Sequence, residues 1–146
     1  MPISEKRSLT WSELIMKTRT YQTYECKIFL GSVNEDTKLE FDEAELRSSI
    51  EKFQDQRKPL IPVRITKTQF ICGSSYREDG WEVGIINYPK LEINIEQLEF
   101  FCEELSEHLL YNLHQNRVSL MTPYVTTMYH DRSRFPQSVN SKVASP

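Results

Sequence analysis

The amino-acid sequence predicts an α+β domain in which helices pack on one face of a mainly antiparallel sheet. Three observations lead to this prediction. Capping signals mark the starts of three helices, alternating apolar residues mark strands between them, and short turn sequences connect successive strands. The longest helix falls in the C-terminal half of the chain, and a β-hairpin follows it.

The chain of 146 residues has no internal repeat and no linker that would divide it. We therefore expect a single α+β domain over residues 1–130. Residues 131–146 are rich in Ser, Pro, Asn and Arg and lack apolar periodicity, which predicts a disordered tail.

The first elements are a short helix and a strand. Thr10 and Glu13 have the spacing of a capping box, which predicts a helix over about residues 11–19. A strand with one buried face follows, because apolar residues then occupy every second position. These residues are Tyr24, Cys26, Ile28 and Leu30.

The second helix begins after Asp42, which forms a capping box with Glu45. Leu46, Ile50 and Phe53 form its apolar stripe, and the helix should end before Pro59.

Residues 60–89 have the pattern of strands. Pro62 favours an edge position or a strand end, because proline cannot donate a ladder hydrogen bond. The segment Arg77–Gly80 ends in Asp-Gly and predicts a hairpin turn. The returning strand, Trp81–Tyr88, is apolar on both faces, so it should be central in the sheet.

The long helix begins at Asn94, which forms a third capping box with Gln97. At about 100° per residue, its large apolar residues share one side, an arc of about 120°. These residues are Leu98, Phe101, Cys102, Leu105, Leu109 and Leu113. Asn112 falls in the middle of this arc. A last hairpin turns around Thr122-Pro123.

Composition and charge narrow the possible functions. A net charge of −3 argues against broad binding to nucleic acid or to a membrane surface, which needs a basic excess. No apolar run approaches the ~20 residues of a membrane span, and Met1–Ser8 lacks the apolar region of a signal peptide. The three cysteines, Cys26, Cys72 and Cys102, fall on faces predicted to be buried and form neither a disulfide framework nor a metal motif. We expect a cytoplasmic protein with reduced core thiols.

The sequence shows no recognisable catalytic machinery. Phosphate-binding glycine motifs are absent, and the chain has only four glycines. His108 and His114 lie about 120° apart around the long helix and cannot share a metal as an i, i+4 pair could. The i, i+4 pair Glu104 and His108 fits a solvated helix face better than a metal site. We therefore expect a protein that is not an enzyme and that carries no cofactor.

Ligand binding is better supported than catalysis. Aromatic side chains can stack on a base, guanidinium groups can bind phosphate, and amides can contact base edges. The candidate residues are Arg64, Phe70, Arg77, Trp81, Asn87, Tyr88, Asn112, Asn116 and Arg117. Core packing is the alternative for Phe70 and Trp81, and a backbone contact is the alternative for Asn112. Arg117 could instead complement the C-terminus of the long helix.

Large apolar residues away from the predicted core faces indicate self-association. Phe100, Leu110 and Tyr111 project from the long helix outside its apolar arc, and Phe29 lies on the polar face of its strand. We expect a homodimer or a higher homo-oligomer.

Two features carry a resemblance to a known family. They are the order of elements over about residues 24–130 and the short segments Asp79–Glu82, Ile86–Pro89 and Asn116–Pro123. In these features the sequence resembles the first Thoeris anti-defence family of phage proteins. The resemblance implies a non-catalytic, oligomeric protein that sequesters a cyclic ADP-ribose isomer, with cyclic oligonucleotides as further ligands. The N-terminal capped helix and the tail do not match that family. Two alternatives stay open: a phage host-takeover or structural protein that acts by protein–protein contact, and a small nucleic-acid-binding module.

Overall fold

The computed structural model describes residues 16–131, and it confirms the α+β class. Five strands form one sheet in the order β2-β3-β1-β4-β5, and every neighbouring pair is antiparallel. Two helices pack on one face of it. In chain order the elements are β1 (Glu25–Gly31), α1 (Glu43–Asp55), β2 (Arg64–Ile71), β3 (Arg77–Ile86), a 3-10 turn (Pro89–Leu91), α2 (Ile95–Asn112), β4 (Arg117–Met121) and β5 (Thr126–His130).

Both described helix starts have the predicted capping boxes. The amide of Gln97 donates to the side chain of Asn94 at 2.7 Å, and the amide of Asn94 donates to the side chain of Gln97 at 3.0 Å. Asp42 and Glu45 exchange the same two bonds at the start of α1. Each box satisfies two donors that a helix end otherwise leaves without a partner.

The core lies between the sheet and the two helices. Cys26, Ile28 and Leu30 alternate along β1 and are fully buried. Their cross-strand partners in β3, Ile85, Val83 and Trp81, are buried on the same face. The predicted arc of α2 completes this core, and Leu98, Phe101, Cys102, Leu105, Leu109 and Leu113 are all buried.

Two residues of α2 differ from the helical-wheel prediction. Leu110 is 2% exposed and belongs to the core, so it is not a surface residue available to a second subunit. Asn112 is exposed, although it falls within the apolar arc. The helix ends at Asn112, where it faces an open cleft beside the start of α1 instead of the sheet.

The turn between β2 and β3 lies at residues 73–76, so the prediction of a turn at Arg77–Gly80 is wrong. Gly73 adopts a positive φ of 73°, and the amide of Cys72 donates to the carbonyl oxygen of Tyr76 at 3.1 Å. Asp79 and Gly80 instead continue β3 and pair with Gln69 and Thr68. Pro62 precedes β2, which is an edge strand as predicted.

The predictions for the two ends of the chain fall partly outside the described residues. The Thr10–Glu13 capping box and residues 132–146 of the predicted tail lie outside them. Residues 16–19 are described and are not helical, in contrast to the predicted helix over 11–19.

Cys72 is exposed, contrary to expectation, because it lies in the β2–β3 turn, whereas Cys26 and Cys102 are buried. No helix within residues 16–131 is long and apolar enough to cross a membrane.

Candidate functional site

The sheet face opposite the helices, called the open face below, combines charged side chains, aromatic rings and glycines. Side chains alternate between the two faces of a sheet, so the register of each strand pair defines which residues share this face. They are Arg64, Thr66, Thr68 and Phe70 in β2; Glu78, Gly80, Glu82, Gly84 and Ile86 in β3; Glu25, Lys27, Phe29 and Gly31 in β1; Arg117, Ser119 and Met121 in β4; and Thr126, Met128 and His130 in β5.

Glu82 lies at the centre of the open face. Its cross-strand partners are Thr66 on one side and Phe29 on the other. Its Oε1 atom lies 3.5 Å from Nζ of Lys27, and both side chains are about one-third exposed, at 29% and 31%. A carboxylate in this position can accept hydrogen bonds from a pair of hydroxyls or face a cation.

Glycines form part of the floor of the open face. Three of the four glycines in the chain lie there, Gly31, Gly80 and Gly84. A Cβ atom at Gly80 would lie 2.4 Å from the ring of Phe70, and one at Gly84 would lie 2.6 Å from the guanidinium carbon of Arg64. These glycines therefore let a ring and a guanidinium group lie directly against the backbone of β3.

A polar cluster borders the open face near the end of β1. The Tyr76 hydroxyl donates to Glu78, and this hydrogen bond raises the pKa of Tyr76 to about 12. The other oxygen of Glu78 accepts from the amide of Val33 at 3.3 Å. Nearby, Arg117 donates to Glu35 at 2.8 Å. The cluster holds charged groups at this edge in defined positions.

Three of the predicted ligand-binding residues, Arg64, Phe70 and Arg117, lie on the open face, with Arg64 and Phe70 near opposite ends of β2. Trp81 does not join them, because it lies in the core on the opposite face. Arg77 lies beside the β2–β3 turn, where β3 begins.

The three predicted amides and Tyr88 lie elsewhere. Asn87 accepts from the amide of Tyr24 and donates to the carbonyl of Gln22, both at 2.8 Å. Asn116 is buried, and at 2.7 Å it accepts from the amide of Glu35 and donates to Asp36. Both amides thus fasten loops. Tyr88 precedes the 3-10 turn, and Asn112 lines the cleft beside α1.

Lys27, Phe29 and Glu82 were not among the predicted ligand-binding residues. The signal that could have found Glu82 is the sequence Gly80-Trp81-Glu82-Val83-Gly84, in which alternate residues face the core. The remaining positions then place a carboxylate between two glycines on the other face of a central strand. Such a face has too little apolar surface to be core and too many small residues to be an ordinary solvated face.

His108 is the half-buried histidine outside the open face. Its Nε2 atom lies 3.1 Å from the hydroxyl oxygen and 3.0 Å from the carbonyl oxygen of Ser49, which links α2 to α1. Burial lowers the pKa of His108. Glu104, one turn away, pairs with Arg57 at 3.2 Å. Within residues 16–131, no group of three or more His, Cys, Asp or Glu side chains is arranged to hold a metal ion.

Comparison with known proteins gives a match of fold. No family model matches the sequence, and neither does any curated protein. A solved structure of a phage SAM lyase in complex with S-methyl-5'-thioadenosine matches with a TM-score of 0.59 and 15% identity, over 84% of this chain and 99% of that chain. A phage SAM lyase in the apo state matches with a TM-score of 0.56 and 14% identity, over 84% of this chain and all of that chain (100%).

This finding corrects the prediction that the protein is not an enzyme. The solved structures that share its fold are those of a lyase, so the lack of a recognisable catalytic motif in the sequence was not evidence against catalysis. At 14–15% identity the likeness shows the fold alone. The resemblance to the first Thoeris anti-defence family stays a prediction that the match does not test.

Proposed function

We propose that this protein is an enzyme that acts on S-adenosylmethionine at its open face, as a lyase. The observation that carries the proposal is the match of fold over 99% of a SAM lyase chain that was solved with S-methyl-5'-thioadenosine. The side chains of the open face supply independent support, because they suit the chemical parts of an adenosine ligand.

An adenosine sulfonium compound has a flat base, two vicinal ribose hydroxyls and a cationic sulfur. Phe29 and Phe70 are aromatic residues of the open face on which the base could stack. The Glu82 carboxylate can accept hydrogen bonds from both ribose hydroxyls, as carboxylates do in nucleotide sites. A carboxylate or an aromatic ring also attracts a sulfonium cation. The open face therefore offers aromatic rings for the base and Glu82 for either the ribose hydroxyls or the sulfonium.

The proposed reaction breaks the bond between the sulfonium sulfur and the γ-carbon of the amino-acid arm. The electron pair of this bond goes to sulfur, which becomes the neutral thioether of S-methyl-5'-thioadenosine. The arm then loses a proton to a base or closes its own carboxylate onto the γ-carbon. Both routes balance without an added reactant. We assign to Glu82, the carboxylate at the centre of the open face, the role of orienting the sulfonium or accepting the proton.

The hypothesis of a cyclic nucleotide-type ligand stays a prediction, and it shares one feature with the proposal. Cyclic ADP-ribose isomers also contain adenosine, so the same aromatic and carboxylate groups would serve them. They differ in carrying a diphosphate in place of a sulfonium arm. The two ligand classes can therefore be compared on the same protein.

The test is to incubate the purified protein with S-adenosylmethionine and, separately, with cyclic ADP-ribose isomers, and to analyse the products by mass spectrometry. We expect S-methyl-5'-thioadenosine to accumulate in proportion to protein. Glu82→Gln should abolish this product, whereas Glu107→Gln, at an exposed position of α2, should not. Unchanged S-adenosylmethionine in the presence of active cyclic ADP-ribose binding would refute the lyase proposal in favour of the other ligand class.

We also propose that the protein forms a homo-oligomer. Phe100 and Tyr111 are 60% and 58% exposed on α2, and Met128 is 50% exposed on the open face beside Ser119. Large apolar side chains in such positions favour a subunit interface. Light scattering should give a mass above that of one chain, and Phe100→Asp together with Tyr111→Asp should lower it if α2 forms the interface. A monomeric wild type would remove this proposal.

A further inference from the structure

We infer that the open face contains a subsite for an anionic group above Gly84, formed by Arg64 and Lys27. This inference rests on the proposed function, because it concerns the part of an adenosine ligand that lies beyond the ribose. An anionic group in this part is the chemical feature that would distinguish the ligand from simpler adenosine compounds.

The register of the sheet places the two cationic residues on either side of Gly84. Gly84 in β3 is the cross-strand partner of Arg64 on one side and of Lys27 on the other. Because Gly84 has no side chain, the guanidinium group of Arg64 lies across it, where a Cβ atom would be 2.6 Å from Cζ and 2.8 Å from Nη2. The guanidinium group thereby lies over β3 and reaches Glu25 in β1, two residues from Lys27.

Each cation is held by a carboxylate that an incoming anion can replace or join. Arg64 donates through Nη2 to Glu25, and Lys27 lies 3.5 Å from Glu82. A guanidinium group has five N–H donors, so a contact through Nη2 leaves donors for a second acceptor. Both pairs are partly exposed, and exposed ion pairs contribute little and are readily exchanged.

The ligand chemistry that fits is an anion attached to adenosine by a short arm. The α-carboxylate of S-adenosylmethionine is one source of this anion, and the diphosphate of an ADP-ribose compound is another. A guanidinium fork binds either group through two parallel hydrogen bonds. S-Methyl-5'-thioadenosine lacks an anionic group, so it should occupy the rest of the face without using this subsite.

The experiment is titration calorimetry with three probes: S-adenosylhomocysteine, ADP-ribose and S-methyl-5'-thioadenosine. Arg64→Ala should weaken binding of an anionic probe by about 10-fold to 100-fold, the effect of losing one charge-assisted contact. It should change the affinity for S-methyl-5'-thioadenosine by less than about two-fold. Arg47→Ala, which removes an exposed arginine paired with Glu43 on α1, is the matched control and should change neither.

A second variant guards against a folding defect. Gly84→Ala keeps the arginine but displaces its guanidinium group, so it should reproduce the selective loss for anionic probes. The inference is overturned if Arg64→Ala weakens all three probes equally or weakens none. If Arg64→Ala loses affinity for ADP-ribose alone, the result would support the subsite and count against S-adenosylmethionine as the substrate. If the wild type binds no adenosine compound, both the proposed function and the subsite fail.

Discussion

Lys27 and Glu82 face each other at the centre of the open face, with Nζ of the lysine 3.5 Å from Oε1 of the glutamate. Both residues come from central strands, β1 and β3, and their chain neighbours Ile28 and Val83 are fully buried on the other side. The same two strands therefore build the core with one face and present charges with the other. This arrangement lets the open face vary in chemistry without loss of the fold.

Glu82→Gln should separate binding from stability. The ion pair with Lys27 is partly exposed, and such pairs contribute about 1 kcal/mol or less to the free energy of unfolding. We expect the urea midpoint to change little, whereas the affinity for S-methyl-5'-thioadenosine should fall by at least about ten-fold, since a carboxylate hydrogen bond is lost. A variant that binds normally would place the ribose contact elsewhere.

Gly80→Ala should destabilise the protein more than Gly31→Ala, although the two residues are cross-strand partners. The new Cβ at position 80 would lie 2.3 Å from the backbone oxygen of Leu30, which cannot move without distorting β1. At position 31 the closest atoms belong to the flexible carboxyl group of Glu78. We expect Gly80→Ala to lower the free energy of unfolding by about 1–3 kcal/mol. Equal losses in urea denaturation would contradict the close approach described for Gly80.

Leu110→Ala should cost about 2–5 kcal/mol of unfolding free energy, because it opens a cavity in the core. Glu107→Ala, at an exposed position of α2 outside the proposed interface, should change stability by less than about 0.5 kcal/mol. Urea denaturation of the two variants at a concentration where the protein has one assembly state provides the comparison. A small effect at Leu110 would return that residue to the subunit interface predicted from the sequence.

His108 should make the protein less stable in mild acid. Burial lowers its pKa in the folded state, so the unfolded chain binds the proton more readily. The stability that His108 contributes is therefore present above the unfolded pKa of about 6.5 and is lost as the pH falls below it. His108→Gln should flatten this part of the stability profile measured by urea denaturation.

His114→Asn is the control for this prediction, because His114 is exposed and its positive φ of 54° is tolerated by asparagine. Its profile should keep the wild-type slope. If His108→Gln also keeps that slope, another group is responsible for the acid sensitivity.

Local signals in the sequence predicted the elements well. The capping boxes at Asp42 and Asn94 satisfy helix-end donors with side chains three residues away, so no tertiary information is needed to recognise them. The turn between β2 and β3 was mispredicted because Asp79-Gly80 has the local chemistry of a hairpin turn. Gly80 is glycine for a different reason, the approach of Phe70 and Leu30 from neighbouring strands.

The candidate site depended on information that the sequence does not display locally. Lys27, Arg64 and Glu82 belong to three different strands, and only the register of those strands brings them together. Leu110 shows the same limit, since the helical wheel of α2 assumes one buried side. The helix contacts α1 as well as β1, β4 and β5, so its buried surface is wider than the arc predicted from its apolar residues.

Methionine methyl groups can report directly whether a ligand binds at the open face. The chain has four methionines, Met1, Met16, Met121 and Met128. Met121 is the cross-strand partner of Lys27, and Met128 lies on the same face, whereas Met16 precedes β1. Carbon-13 methyl NMR spectra would be recorded during titration with S-methyl-5'-thioadenosine, with Met121→Leu and Met128→Leu to assign the signals.

If the open face binds the ligand, the Met121 signal should shift in a saturable way while the Met16 signal stays in place. Saturable binding detected by calorimetry without any shift at Met121 or Met128 would contradict binding at the open face.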